Sequence, residues 1–497
     1  MSTRKRSSGK RIAATAVAVA ACVVLAACGS DVSPAAWAAA QRALNGGNNA
    51  SGGGSGNAGS GSGNAASVNG AGSGLGTGTT GRGTAGKAGT NGTSGTRGTG
   101  GTSGTSGSSG GNATGGITAG SCAGFKNTTG ISDSTITLAN IADVSGPVSG
   151  LFAGVQDAMK AYVAYFNSSS SICGRKLALE PLDSTTSSSG DQQAATTACG
   201  NSFAIVGSMG AFDDGGASTV TNCGIPDLRT ASTEANRAAS PVVYGAQSLN
   251  ANYVPTAPAD YYKSAFPGVA TKAAFLYLNA GASSVNALNE IKGWEHEGFN
   301  FVYTAGIDVT TLNYTSYVST MQADGVKYVQ FVGAYQYAVK LAQAMQQQNF
   351  KATFVLDPIA YDPGFVTSGG SAVEGTHIWI NSRLFEEASA IPEMQTYISW
   401  LNRVRPGAAP NYFGMYAWSA GMLFVQKAIQ LGGKLTRQSL LAALSTVDNW
   451  TGNGMFGPQH VGQRITGSCY GFITLRGGQW VREGPAPFSC GTVVKVA

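Results

Sequence analysis

Residues 46–120 set the first limit on what this chain can fold into: of these 75 positions 30 are glycine, none is aromatic or acidic, and only Arg82, Lys87 and Arg97 are charged. Val68, Leu75 and Ile117 are the sizeable hydrophobes of the stretch. Burying them cannot offset the entropy of ordering so much backbone, which predicts a disordered Gly/Ser/Thr-rich tether. A coil of this kind has a root-mean-square span of about 45–50 Å, enough to hold a folded body away from a surface. Glycine this frequent also produces G-x-G-x-x-G matches by chance, so such a match here carries no meaning for dinucleotide binding. The folded part of the chain is therefore sought in the residues that follow.

Charge is as unevenly placed as glycine. The 31 Lys and Arg exceed the 25 Asp and Glu by six, but Arg4, Lys5, Arg6, Lys10 and Arg11 all lie at the N-terminus; without those five, 26 bases face 25 acids. A near-neutral body lacks the clustered cations that displace phosphate counterions, which argues against nucleic acid as a partner. The five bases precede an apolar run over residues 12–27, shorter than the roughly 20 residues that cross a bilayer. Residues 1–27 thus have the pattern of a secretory signal. Its end, Leu25-Ala26-Ala27-Cys28-Gly29, resembles the bacterial lipobox, which implies cleavage before Cys28 and lipidation of its thiol. Residues 28–120 are then a lipid anchor and tether on the extracytoplasmic face of the cell membrane. The competing reading is an ordinary signal ending in Ala-x-Ala, with Cys28 incidental.

Beyond the tether remain Cys122, Cys173, Cys199, Cys223, Cys469 and Cys490. An even set in an exported chain implies disulfides, and pairing sequence neighbours gives Cys122 with Cys173, Cys199 with Cys223, and Cys469 with Cys490, one of several possible connectivities. Zinc is the rival reading; the lack of any C-x-x-C, with only His296, His377 and His460 to help, opposes it, so neither metal nor cofactor is expected.

From Ser134 onward short apolar runs alternate with amphipathic stretches, the pattern of βα units and a parallel sheet. Strands are predicted over residues 135–141, 176–182, 203–206 and 225–228, with helices over 155–166, 192–199 and 215–223 between them. The series restarts with strands over 273–278, 301–307, 326–332 and 352–356, and helices over 285–297 and 335–348. Two later helices cover 394–404 and 412–431, the second stopped by Gly432-Gly433, and Thr436 caps a third that ends at Leu444. A strand-like tail begins at Gly467. Two series of βα units predict two α/β lobes whose cleft is the natural ligand site.

In order and local signatures this body resembles the type I periplasmic solute-binding proteins of the leucine/isoleucine/valine-binding family. The residues that carry the resemblance are Ser145-Gly146-Pro147-Val148, Gly174-Arg175-Lys176-Leu177, Ala204-Ile205-Val206-Gly207-Ser208, Gly224-Ile225-Pro226, Gly325-Val326-Lys327-Tyr328-Val329 and the glycine-containing return over 452–458. The resemblance implies two Rossmann-like lobes with a central cleft and three hinge crossovers, near Ser248, Ile380 and Trp450. Lobe 1 is then 131–248 plus 381–450, and lobe 2 is 249–380 plus 451–497.

It also implies a site. Such proteins hold a ligand carboxylate with backbone N–H groups and hydroxyls after the third and fourth strands of the first lobe, here Ser208, Ala211 and Phe212, then Ala231, Ser232 and Thr233. Leu151 and Phe152 fall where the ligand side chain packs. The second lobe supplies an aromatic shelf and an acid for an ammonium, which by register are Tyr335 and Asp357, with Tyr361 and Asp362 nearby. The position where relatives often carry a tyrosine falls at Ala282, which weakens the case for ordinary branched-chain amino acids. Ser232 and Thr233 have a plainer reading as caps or turns, and Asp357 as a loop acid before Pro358.

Catalytic motifs are missing from the body: there is no Walker sequence, no G-x-S-x-G after a strand, and His296-Glu297 is followed by Gly298-Phe299-Asn300 instead of completing H-E-x-x-H. The paired acids Asp213-Asp214 and Glu386-Glu387 are expected to be solvated. The sequence therefore predicts a non-enzymatic, monomeric, lipid-anchored binding component of an ABC importer, which takes an amino acid or related small polar solute and docks on a membrane permease. A ligand sensor signalling to a membrane receptor, and a secreted hydrolase, are the alternatives.

Overall fold

Thr135–Ala142, whose Ile136, Leu138, Ala139, Ile141 and Ala142 are apolar, forms β1 and is buried along nearly its whole length, as a strand in the middle of a parallel sheet must be. In this computed structural model residues 118–497 are described; the signal, Cys28 and most of the tether lie outside the described residues. After β1 come α1 (Ala153–Ser169), β2 (Lys176–Asp183), α2 (Ser188–Asn201), β3 (Ala204–Val206), α3 (Ala217–Cys223), β4 (Asp227–Arg229), α4 (Ala235–Ala239) and β5 (Val243–Gly245). The strands pair in parallel in the order β2-β1-β3-β4-β5. The order reverses between β1 and β3, the place where the loops at the strand carboxyl ends part and open a crevice.

The scheme repeats with β6 (Tyr253–Pro255), α5 (Thr256–Ala265), β7 (Ala273–Leu278), α6 (Ala282–His296), β8 (Phe301–Ile307), α7 (Thr315–Ala323), β9 (Tyr328–Val332), α8 (Tyr335–Gln347), β10 (Thr353–Leu356), α9 (Pro363–Gly369) and β11 (His377–Ile380). Strands β8-β7-β9-β10-β11 form a second parallel sheet. The chain then returns to the first sheet as α10 (Pro392–Val404), α11 (Tyr412–Leu431) and α12 (Arg437–Leu444). It ends on the second sheet, where β12 (Cys469–Arg476) pairs antiparallel with β11, β13 (Gln479–Glu483) and β14 (Ser489–Cys490), while β15 (Val493–Lys495) pairs with β6.

Each lobe has its own aromatic core. In the first, α11 lies against α1 and is apolar almost all round, which is the pattern of a fully buried helix. Its Trp418 meets Tyr162 edge to face at 5.0 Å and stacks with Tyr165 at 5.3 Å. In the second, Tyr262, Trp294, Tyr328 and Phe472 cluster beneath the sheet, with Tyr261 stacked 3.7 Å from Phe472. Three disulfides join Cys122 to Cys173, Cys199 to Cys223, and Cys469 to Cys490. The three segments that run between the sheets are laced together: Ser248 N–H donates to Gln459 Oε1 at 3.0 Å, Gly457 N–H to Asn381 O at 3.0 Å, and Asn250 N–H to Thr466 Oγ1 at 3.0 Å.

Some expectations change. Gly120 N–H donates to Ile429 O at 3.0 Å and Gly433 N–H to Ser121 O at 2.8 Å, so the chain is already held against α11 where the tether was expected to end. Strands β5, β6 and β11 and helix α5 are additions to the predicted elements. Helix α5 carries Pro258 near its start, where the missing N–H costs no helical bond. The acids expected in solvent are not all there. Glu387 binds Arg383 and Arg482, and Asp213 is fully buried.

Asp213 belongs to a solvent-free ion cluster in the first lobe. Arg237 Nη2 lies 2.7 Å from Asp227 Oδ2 and its Nη1 3.0 Å from Asp191 Oδ2; Arg229 lies 3.4 Å from Asp213 and 3.3 Å from Asp227. Burial pushes the Asp213 carboxyl up to about 6, with Arg229 and Arg237 pulling it back. Removing Arg237 leaves Asp191 dry without its cation and Asp227 with Arg229 alone, a change that costs about 3–5 kcal/mol. Arg237→Ala should lower the urea-unfolding free energy by that amount, and a loss under about 1 kcal/mol would show the cluster to be dispensable.

Candidate ligand-binding cleft

The carboxyl ends of strands from both sheets face one cavity that encloses about 1180 Å³ of unfilled space, part of it open to solvent. From the first lobe come Leu151 and Phe152 at the start of α1, Met209, Ala211 and Phe212 after β3, Thr233 after β4 and Gln247 after β5. From the second come Leu278 at the end of β7 and Ala280 beyond it, Val332 at the end of β9 with Gly333 and Ala334 beyond it, and Asp357 and Ile359 after β10. Trp379 of β11, Tyr470 of β12, and Tyr412 and Phe413 at the start of α11 close the remaining wall.

Buried carboxylates shape the first-lobe loops. Asp143, just past β1, accepts from Ser184 Oγ at 2.5 Å and from Ala211 N–H at 2.7 Å, which fixes the loop after β3. Burial raises the Asp143 carboxyl to about 6. Asp213 accepts from the N–H groups of Thr233 at 3.0 Å and Glu234 at 2.9 Å, and Thr233 Oγ1 donates to Gly210 O at 2.6 Å, so the loops after β3 and β4 are tied to each other.

The second-lobe wall is a helix face. Ala282, Asn286 and Glu290 recur every four residues along α6, so all three turn toward the cavity. Glu290 Oε2 accepts from Gln330 Nε2 at 3.0 Å. Asp357 Oδ1 accepts from Ile359 N–H at 3.2 Å. Both acids keep some surface open to the cavity, while the protein encloses them on the other sides. That enclosure pushes the Asp357 carboxyl up to about 7 and raises Glu290 well above the usual carboxylate range, with Asp357 adding to the rise. No Lys, Arg or His lies among the lining residues. Gln247 Oε1, Asn286 Oδ1 and Trp379 Nε1 are buried without a hydrogen-bond partner.

A second chamber of about 780 Å³, part of it open to solvent, adjoins this one through Leu151, Phe152, Ile359, Tyr412 and Phe413, and holds Tyr335, Tyr361 and Asp362. The site residues expected from sequence are thus distributed. Leu151, Phe152, Ala211, Phe212, Thr233 and Asp357 line the main cavity; Tyr335 and Tyr361 line its neighbour. Ser208, Ala231 and Ser232 line neither: Ser208 Oγ accepts from Ile141 N–H at 2.7 Å and Ala231 O from Arg229 Nε at 3.3 Å, and Ser232 is buried. Glu290, Asn286, Gln247, Trp379 and Tyr470 were not expected. The signal that could have found the first two is their spacing of four on the helix after β7.

The lobes touch across the cleft. Ala282 N–H, at the start of α6, donates to Ala211 O of the first lobe at 3.1 Å. Gly281 permits that approach: its φ of +50° and ψ of −142° suit glycine alone, and a Cβ there would sit 2.7 Å from Ala211 O and 3.2 Å from the Phe212 ring. Gly281→Ala should therefore prop the cleft open and weaken capture of a bound solute about tenfold or more by calorimetric titration, with the fold retained by circular dichroism. Unchanged affinity would contradict the latch.

Comparison with known proteins agrees with this architecture. Among curated proteins none matches. Solved structures do: the leucine-binding protein of Thermotoga maritima (16% identity, TM-score 0.59, covering 70% of this chain and 98% of that one), and the fatty acid ABC transporter substrate-binding protein of Thermomonospora curvata (17%, 0.62, 75% and 95%). A solute-binding protein of an R. palustris ABC transporter in complex with benzoate is also similar (16%, 0.59, 72% and 97%). The family model for periplasmic binding proteins matches residues 135–478, most of the described chain. This chain, with its two parallel-sheet lobes and the cleft between them, belongs to the periplasmic binding protein family.

Proposed function

We propose that the chain is the extracytoplasmic, lipid-anchored solute-binding component of an ABC importer, and that it captures an amino acid or related small solute through hinge closure. The observation that carries the reading is the cavity walled by both lobes. A guest there touches both walls only when they are shut, so binding favours the closed form, the form presented to a permease. Asp357 and Glu290, acids without a cationic neighbour among the lining residues, give an amino group its place, and Phe152, Phe212 and Tyr470 give an apolar body its bed. The fatty acid and benzoate proteins named above are ABC-transporter components, which supports the transport role. Attachment in this reading is through Cys28, which ends the lipobox-like Leu25-Ala26-Ala27-Cys28; no helix among the described residues is long and apolar enough to cross a membrane.

A melting-temperature screen of the full chain against amino acids, amides and small carboxylates tests capture. A solute at about 100 times its Kd stabilises the folded form by about 2.7 kcal/mol and raises Tm accordingly. Thr233→Ala combined with Asp357→Ala should abolish the rise, and retained binding would remove those residues from the site. Cys28→Ala should move the protein to the aqueous fraction; persistent membrane attachment would contradict the anchor.

A further inference from the structure

Resting on the capture reading, we propose that the guest is a cationic amine with an apolar body and no carboxylate. Three observations converge on it. First, the charged side chains that line the cavity are both acids, Asp357 and Glu290, and two unpartnered acceptors, Asn286 Oδ1 and Gln247 Oε1, are buried in residues of the same wall. The orientation of Gln247 is fixed by its neighbours. Tyr412 donates its hydroxyl proton to Asn381 Oδ1, so it accepts from Gln247 Nε2 at 2.8 Å, which leaves Oε1 as an unpartnered acceptor within the wall. An ammonium, with three donors and a positive charge, answers this set.

Second, the donors that would receive a carboxylate are already engaged. Ala211 N–H is held by Asp143 Oδ2, Thr233 N–H by Asp213 Oδ2 and Thr233 Oγ1 by Gly210 O. At the start of α6, where backbone N–H groups commonly receive an anion, Ala282 N–H donates to Ala211 O at 3.1 Å and Ser283 N–H to Ala280 O at 3.3 Å. A carboxylate arriving there meets carbonyl oxygens, and the buried Asp143 lies close behind Ala211. Among the fully buried side-chain donors of the wall, Trp379 Nε1 is without a partner. Third, no lysine, arginine or histidine lines the cavity to balance an anion. An α-amino acid would leave its carboxylate dry and unpaired, whereas its decarboxylated counterpart buries only the charge the cavity can answer.

The ionisable groups facing the pair from other elements are phenols, Tyr328 of β9, Tyr412 of α11 and Tyr470 of β12, all raised by burial and neutral near neutral pH. An ammonium binds the ionised acids. As pH falls below about 7 Asp357 takes up a proton that the amine must displace, so amine affinity falls with pH there.

Calorimetric titration of the full chain with four congeners tests the proposal: 2-phenylethylamine, L-phenylalanine, 2-phenylethanol and 3-phenylpropionate. The amine should bind at least about tenfold tighter than each of the others, as a charge-assisted hydrogen bond allows. Its affinity should fall between pH 8 and pH 6, and Asp357→Asn should cost it about tenfold or more, a larger loss than the alcohol suffers. Phenylalanine or phenylpropionate binding as tightly as the amine, or no binding by the amine, overturns the proposed class. If leucine or a carboxylate then still raises Tm, capture stands without it; if no solute of either set binds, capture falls as well.

Discussion

A charge removed from water needs a partner, and this protein meets that requirement differently in its two polar interiors. In the first lobe three aspartates and two arginines are packed together without solvent, each arginine within 3.4 Å of two acids. Asp213 spends its remaining acceptor capacity on the loop after β4. That closed account makes the loops after β3 and β4 rigid walls. In the cleft the requirement is left open: Asp357 and Glu290 face an apolar cavity whose lining holds no base. The first arrangement holds a shape and the second waits for something to complete it.

The same parallel-sheet geometry explains why the two meet. Strand carboxyl ends in each sheet point to one side, so loops that diverge at the β1/β3 reversal in one lobe face the loops after β7, β9 and β10 in the other. The segments joining the lobes are bonded to one another through Ser248, Asn250, Gln459 and Thr466, which leaves closure to a few backbone torsions and to the Gly281 contact.

Much of the fold was legible because it is written in local pattern. Strands β7 and β8 and helix α11 fall at their predicted bounds, since an apolar run or a helical period followed by Gly432, at φ +54°, needs no tertiary knowledge. Strand β11 was not legible: four residues between turns carry too little periodicity, and β10 and β12 define it by pairing. The site was less legible still. Asp213 looked like a surface acid because nothing local announces Arg229 and Arg237 beside it. Ser208 and Ser232 looked like ligand hydroxyls, but Ser208 is taken by the backbone of β1. Glu290 was overlooked because acids were sought at strand ends, and its role depends on a helix face meeting a cavity formed by both lobes.

The central claim is that two lobes shut around a guest. The distance between spectroscopic probes placed on exposed Thr196 of α2 and exposed Thr320 of α7, one on each lobe, measures it directly by pulsed dipolar spectroscopy. With a solute identified by the melting screen, the account predicts a broad, longer distance distribution for the free protein that shortens and narrows on binding. A distribution that stays the same while the solute is bound would contradict it.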